Sequence, residues 1–358
     1  MNPVVALLGK RDEPTDALEE YCHYLGEALV SHQIELSVQR VAWDKLGWSQ
    51  ALGELERCAA DWKDQWVVLQ YTALAWSSRG FPRKILGVLK LLKSLEARAG
   101  IVFHDVEPFH GSRLIDRLRR NAQISTMRRA ADLADLAIFP VDPSRLSWLK
   151  APPNNALFIP VGPNLPIPTD ASPSPRHDLP TVGVFSITGG DKGAQETREI
   201  LATIRSASER VGKLRLLVFG RHAEVREVAL RDGLHGLPVE LSVEGVASPP
   251  VVVEKLRQCD VVLFVRGVIS SRRSSAIAAI SCGLPVIAYS GAETAPPVTD
   301  AGVVLIPEGC ADELAPALVH VLTDEPYRRS LFSRSQTAYE RNFCWNQIAA
   351  AYAKHLSY

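Results

Sequence analysis

At 358 residues the chain is too long for one ordinary hydrophobic core, so two domains are expected. With 46% hydrophobic and 22% charged residues it has the composition of a globular protein rather than a disordered one. A formal net charge of zero argues against a whole-surface nucleic-acid binder.

Val4 opens a short apolar strand ending at Leu8, and a polar loop over 9–15 follows. A helix is expected over 16–31, with Leu18, Tyr21, Cys22, Leu25 and Leu29 along one face. Further strands are expected at 34–41, 66–71 (WVVLQY), 100–104 (GIVFH), 137–140 and 156–161 (ALFIPV). Strands alternating with helical stretches describe a doubly wound parallel sheet. The stretch 164–180, NLPIPTDASPSPRHDLP, carries five prolines and reads as a linker. A second α/β set follows, with strands at 182–187, 214–219 (LRLLVF), 239–243, 261–265, 286–289 and 303–306. Its helices are expected over 194–211, 276–281, 311–322, 326–335 and 345–355. Two domains, 1–163 and 181–340, would thus put a cleft between the carboxyl ends of two sheets, with 341–358 as a terminal segment.

The chemistry concentrates at 260–297, which reads as strand, polar basic loop, short helix, strand: one βαβ turn. Gly283 and Pro285 stand where a helix stop puts them. The loop holds Ser270, Ser271, Arg272, Arg273, Ser274 and Ser275 in succession. Unpaired N–H groups and the positive dipole end of a helix N-terminus favour an anion, and the arginines and serines add donors there. Serines that merely cap the helix, beside solvated arginines, remain the alternative.

Gly189 and Gly190 with Lys192 and Gly193 open a helix after the first strand of the second half, where backbone can approach a phosphate closely. The segment is neither a Walker A loop nor a GxGxxG, and a tight turn with a solvated lysine remains open. Arg221 occupies the corresponding place after the LRLLVF strand. In the first half, His104 ends a strand beside Asp105 and Glu107, a position suited to an acid, a base or a hydroxyl ligand. A histidine satisfying loop backbone is the alternative.

Residues 79–129 hold twelve Lys/Arg against four Asp/Glu in a chain that is neutral as a whole. Part of the excess lies on FPRKILGVLKLLKSLEARA, read as an apolar helix with lysines on one side that spans Arg83 to Arg98. That pattern suits an anionic membrane surface or an anionic acceptor. Cysteines at 22, 58, 259, 282, 310 and 344 show no metal spacing, and several lie in apolar stretches, as buried thiols of a reducing compartment do. No secretory leader follows Met1 and no apolar run reaches the roughly 18 residues of a membrane span, so a cytoplasmic protein is expected, with peripheral association at the inner face of the membrane through the basic helix.

With these residues in hand, the chain resembles a family-4 glycosyltransferase of the GT-B architecture. Ile280 to Ala288, ISCGLPVIA, is similar to the family's AxACGLPVIA segment, and Gln258 to Leu263 to the strand just before it. Asp191-Lys192-Gly193 matches the (E/D)KG donor-phosphate loop, and His104-Asp105 with Pro108 the HDxxP loop that faces the acceptor. Phe343-Cys344-Trp345 with 349–352 matches a terminus whose helix crosses back to the first domain. The departures are specific. The family's Glu, seven residues, Glu pattern falls on Ser270 and Ala278, the arginine five residues before Lys192 is Ile187, and Pro14, Thr15 and Asp16 stand where a glycine pair is usual. Arg272 and Arg273 fall where the family has small residues and are candidates to replace the missing cation.

The resemblance implies two Rossmann-like domains facing a central cleft, an acceptor-binding one and a nucleotide-sugar-binding one. It implies retaining transfer of a sugar from a nucleotide-diphosphate donor to a hydroxyl of a glycan, a lipid-linked or a small-molecule acceptor, without a metal. Gly189, Gly190, Lys192, Gly193, Arg221, Val246, Ser270, Ser271, Arg272, Arg273, Ser274 and Ser275 would line the donor, Thr15, Asp16 and Asp105 the acceptor, and His104 would be catalytic. A non-catalytic relative that binds a sugar nucleotide or a glycan is the alternative, supported by the missing glutamates. A nucleotide-sugar epimerase is a second, which the terminal FCW helix opposes. No GxGxxG follows any strand, which disfavours a nicotinamide dehydrogenase.

Overall fold

A computed structural model describes residues 1–168 and 179–357. Most of the stretch expected as a linker, 169–178, lies outside them. The chain divides into two compact units, one of Met1–Pro160 with Trp345–Tyr358, the other Val161–Cys344.

The first unit is built on strands β1 (Asn2–Leu8), β2 (Ile34–Arg40), β3 (Trp66–Tyr71), β4 (Arg98–Phe103), β5 (Leu136–Phe139) and β6 (Ala156–Phe158). They form one parallel sheet in the order β2-β1-β3-β4-β5-β6. Helices α1 (Ala17–Leu29), α2 (Trp43–Leu46), α3 (Trp48–Cys58), α4 (Ile85–Ser94) and α5 (Leu114–Leu133) connect them. Every residue of β3 is buried, as expected of a central parallel strand covered on both faces, whereas the edge strand β2 is largely exposed. Val67, Leu69, Ile101, Phe103, Ile85, Leu89 and Trp148 meet in its core. The last helix, α12 (Trp345–Leu356), completes this unit. Its Tyr352 shares a buried 2.8 Å hydrogen bond with Tyr21 of α1, and Trp345 packs on the rings of Tyr21 and Tyr24.

The second unit contains β7 (Thr181–Phe185), β8 (Leu214–Phe219), β9 (Val239–Glu244), β10 (Val261–Val268), β11 (Val286–Ser290) and β12 (Val303–Pro307). Their parallel order is β12-β11-β10-β7-β8-β9. Its helices are α6 (Gly190–Val211), α7 (Glu227–Leu234), α8 (Pro249–Arg257), α9 (Ser274–Ser281), α10 (Leu314–Thr323) and α11 (Glu325–Ala338). The chain therefore has the expected α/β architecture of two parallel sheets flanked by helices. All six cysteines are free; Cys22 and Cys259 are buried, but Cys58 is exposed at the end of α3.

One helix of the first unit escapes a reading of hydrophobic period. α5 buries Ala122, Gln123, Thr126, Met127, Ala130 and Ala131, a face of small and polar side chains with no apolar stripe to read. α3, which was not among the expected elements, does carry one: Trp48, Ala51, Leu52 and Leu55 stand at helical spacing and face the core. The basic helix expected to span Arg83 to Arg98 is shorter: α4 stops at Ser94 and Arg98 begins β4. Ile85, Val88, Leu89 and Leu92 of α4 face the core, so what it offers a membrane surface is charge without an apolar face. Within the basic stretch 79–129 the large apolar side chains left in solvent belong to the next helix and the loop before it. Phe109, Leu114, Ile115 and Leu118 are 44%, 74%, 47% and 53% exposed, among the exposed Arg113, Arg117 and Arg120. Among the described residues no helix is long and apolar enough to cross a membrane.

Candidate functional site

In the second sheet β7 is followed in sequence by its neighbour on one side, β8, while β10 returns to its other side. Strand order thus reverses at β7, and the space outside the carboxyl ends of β10, β7 and β8 is where an open α/β sheet offers a crevice. The loops that end there are stitched together by their own backbone. Ile187 N–H donates to the Arg221 carbonyl at 3.0 Å, and Arg221 N–H to Ser186 Oγ at 3.2 Å. α6 begins at Gly190, in the left-handed region at φ 65°, so Asp191, Lys192 and Gly193 form a helical first turn. A Cβ on Gly193 would lie 1.8 Å from the Thr188 carbonyl oxygen, so only glycine lets that turn close against the strand end. Thr188 N–H donates to buried Glu196 Oε2 at 2.7 Å, and an Arg226 guanidinium N–H to the Gly190 carbonyl at 2.5 Å. Gly189 lies against His222, whose Nε2 would be 3.3 Å from an added Cβ. Lys192 is exposed, and Val246, just past β9, is 48% exposed.

The serine-arginine loop behaves differently from its sequence. Ser270 and Ser271 are buried, Ser274 is exposed, and α9 starts at Ser274. Arg272 donates from Nε and a terminal nitrogen to the two oxygens of Glu293, at 2.6 and 2.8 Å, and Ser270 Oγ donates to the same carboxylate at 3.0 Å. Burial by itself would raise the Glu293 pKa, but the Arg272 and Ser270 hydrogen bonds and the charges of Arg272 and Arg273 hold it below its ordinary value. Arg273 turns back, with Nε 3.3 Å from the Val268 carbonyl. Arg272, expected beside a ligand, therefore forms a bidentate pair with a carboxylate that sequence reasoning did not single out. Glu293 is the lone charge in the small-residue loop after β11, and that isolation is the signal that could have found it.

In the first unit, the loops after β1, β3 and β4 meet at the carboxyl edge, around the place where β1 separates β2 from β3 in strand order. A Cβ on Gly9 would come within 2.2 Å of the Ala75 carbonyl oxygen, which fixes the first of these loops against the second. Asp16 is 5% exposed and caps α1, accepting from Leu18 N–H at 3.0 Å and Glu19 N–H at 3.3 Å, while Arg40 donates to its other oxygen at 2.7 Å. The structure thus gives this expected acceptor ligand a structural task, beside half-buried Thr15. Asp105 accepts from Ala73 N–H at 2.9 Å, which ties the β3 and β4 loops.

His104 closes this edge. Its Nε2 lies 2.8 Å from Gln70 Oε1, and its ring stands edge-on to Tyr21 at 4.9 Å. Gln70 commits its amide nitrogen to the Val68 carbonyl at 3.3 Å, so its oxygen accepts from Nε2–H and leaves Nδ1 as the unprotonated acceptor. Burial lowers the His104 pKa from 6.5 to about 4, against the opposing pull of the Asp16 charge. At neutral pH it is an uncharged imidazole that can accept a hydrogen bond from a hydroxyl and cannot serve as a general acid.

Among the described residues no group of three or more His, Cys, Asp or Glu side chains is placed to hold a metal ion. No protein-family model matches the sequence, and no curated protein matches it. Solved structures do. Anabaena Alr3699/HepE in complex with UDP and glucose matches over 100% of both chains with a TM-score of 0.65 and 16% identity. A glycosyltransferase from Rickettsia africae ESF-5 matches over 99% of this chain and 97% of its own with a TM-score of 0.69 and 11% identity. WaaG, a glycosyltransferase involved in lipopolysaccharide biosynthesis, matches over 99% of each with a TM-score of 0.63 and 14% identity. At these identities the likeness is one of fold: the chain has the two-domain α/β fold of these glycosyltransferases.

Proposed function

We propose that the protein is a glycosyltransferase that takes a nucleoside-diphosphate sugar as donor and transfers the sugar, with retention, to a hydroxyl. The observation that carries the reading is the switch-point edge of the second sheet. Lys192, Arg221 and Arg226 gather there around the first turn of α6. Cations and a helix N-terminus are what a departing diphosphate needs, and they stabilise it by fixed charge and dipoles without requiring a bound metal. The second unit is thus the donor domain and the first the acceptor domain, with His104 Nδ1 accepting from a sugar or acceptor hydroxyl. The HepE structure, of the same fold, holds UDP and glucose, which supports the donor class.

A thermal-shift panel of UDP, GDP, ADP and their sugars is the direct test. A donor at a hundredfold excess over its Kd stabilises by about 2.7 kcal/mol, so one nucleotide series should raise Tm and the others should not. No shift with any of them would remove the donor reading. A second reading, a sugar-nucleotide-binding protein without transferase activity, draws on Ser270 and Ala278 standing where the resemblance expects carboxylates. Donor stabilisation without sugar release or transfer would favour it.

The acceptor side has its own signature. Exposed Phe109, Leu114, Ile115 and Leu118 among Arg113, Arg117 and Arg120 suit an acceptor presented on an anionic membrane surface. The protein should sediment with anionic vesicles at low salt, less as salt rises, and much less after Leu114→Ser with Leu118→Ser. Equal, negligible sedimentation with neutral and anionic vesicles would remove the membrane.

A further inference from the structure

Arg266 lies inside the apolar strand VVLFVRGV, in β10, at the edge next to the β7 switch point. Pairing with β11 steps from Phe264↔Ala288 to Val268↔Tyr289, so β10 advances four residues while its neighbour advances one. Val265, Arg266 and Gly267 therefore leave the ladder as a bulge, with Gly267 in the left-handed region at φ 73°. Bulges of this kind re-aim a side chain, and they concentrate beside active sites. Here the side chain re-aimed is a guanidinium.

Its surroundings are poorly suited to a cation in the absence of a ligand. The sole hydrogen bond it makes among the described residues is a long one, 3.4 Å, from a terminal nitrogen to Ser275 Oγ in the first turn of α9. Its Nε is buried without a hydrogen-bond partner. The charges it feels are Glu196, which is engaged by Thr188 N–H, and Arg221, which repels it; burial together with that repulsion lowers its pKa, against the pull of Glu196. Leaving a buried donor unmade and setting two guanidinium groups together both cost stability, and natural chains tolerate such a cost where a ligand relieves it.

Resting on the donor reading above, we infer that Arg266 is a phosphate-binding residue: with Arg221 and the Ser275 hydroxyl it receives the diphosphate of the donor. The three arginines that end β10 and open α9 differ in what holds them. Arg272 is neutralised by Glu293 and Arg273 is folded onto Val268, whereas Arg266 reaches the first turn of α9, feels the charge of Arg221 and keeps its buried Nε unfilled. The replacement for the cation absent at Ile187 therefore comes from within the strand rather than from the loop after it.

The test uses the full chain with inorganic pyrophosphate, UDP and uridine as calorimetric probes, and Arg266→Met and Arg266→Gln as variants. Arg215→Met, at an exposed pair with Glu240, is the charge control. Both Arg266 variants should bind pyrophosphate and UDP at least about tenfold more weakly and uridine unchanged, as loss of a charge-assisted contact requires. The ligand-free Tm of Arg266→Met should equal or exceed the parent's, because a half-buried cation with an unsatisfied buried Nε is removed. A folded variant that binds pyrophosphate and UDP as the parent does overturns the role of Arg266 and leaves the donor reading standing. Failure of both variants to fold also overturns it, since Arg266 is then a structural residue. A parent that binds neither pyrophosphate nor any of UDP, GDP and ADP overturns both.

Discussion

Arg272→Ala should destabilise the protein by about 3–5 kcal/mol, because it strands the Glu293 carboxylate, 6% exposed, without its bidentate partner. Arg272→Met with Glu293→Leu should recover most of that loss, since a buried ion pair exchanged for apolar packing is often neutral or better. The pH dependence distinguishes this account from a general packing defect. In the parent, Glu293 titrates below its ordinary value, so the stability it contributes is present above that value and is lost as pH falls through the depressed one. In Arg272→Ala burial dominates and raises the carboxyl, so the deficit should shrink as the medium is acidified and Glu293 takes up a proton. Urea unfolding at pH 5 and pH 8 reads the shrinking deficit of the variant, and a further measurement below the ordinary glutamate value reads the parent's own loss. A single variant that loses less than about 1 kcal/mol at pH 8 would show that the pair contributes little.

His104→Ala should lower turnover roughly tenfold to a hundredfold while leaving nucleotide affinity nearly unchanged, the loss expected when a reacting hydroxyl can no longer donate to a half-buried neutral imidazole. Because its pKa is held to about 4, the rate of the parent should show no limb from this histidine between pH 5 and 8. Stability carries the complementary sign. The unfolded chain protonates His104 near 6.5 while the folded one resists until about 4, so the unfolded state binds more protons in that window and stability rises with pH across it. His104→Gln should remove that slope. Normal turnover in His104→Ala would take the residue out of the site; a full acidic limb abolished by the substitution would show that it works as a charged group.

Much of the fold was legible because parallel strands covered on both faces must be apolar throughout. WVVLQY and LRLLVF could be placed from composition alone, and β3 and β8 stand at 66–71 and 214–219. The helix-stop grammar was equally local: Gly283, at φ 77°, ends α9 where the sequence put the stop. Two of the helices that were missed lack a local signature. α5 buries alanines, a glutamine and a threonine, and α7 buries only Leu230 and Leu234. α8 did announce itself, with Pro249 at its first position after Ser248.

From the sequence one could read where backbone comes close enough to meet an anion, since Gly189, Gly190 and Gly193 and the serines before α9 mark strand ends and helix starts. The sequence could not determine which arginines are free to meet it. A charge in a sequence has no partner until the chain folds, and Arg272 meets Glu293 from a loop 21 residues away. Arg266 fell just past the strand expected at 261–265 and drew no notice, and only the slip in register with β11 turns it out of the ladder. Likewise the pair HD at 104–105 suggested a reactive histidine, but its charge state rests on burial and on Gln70, a residue of the neighbouring strand. Local propensity is encoded residue by residue; desolvation and pairing depend on what tertiary structure brings close, and those set the charge of every group in the site.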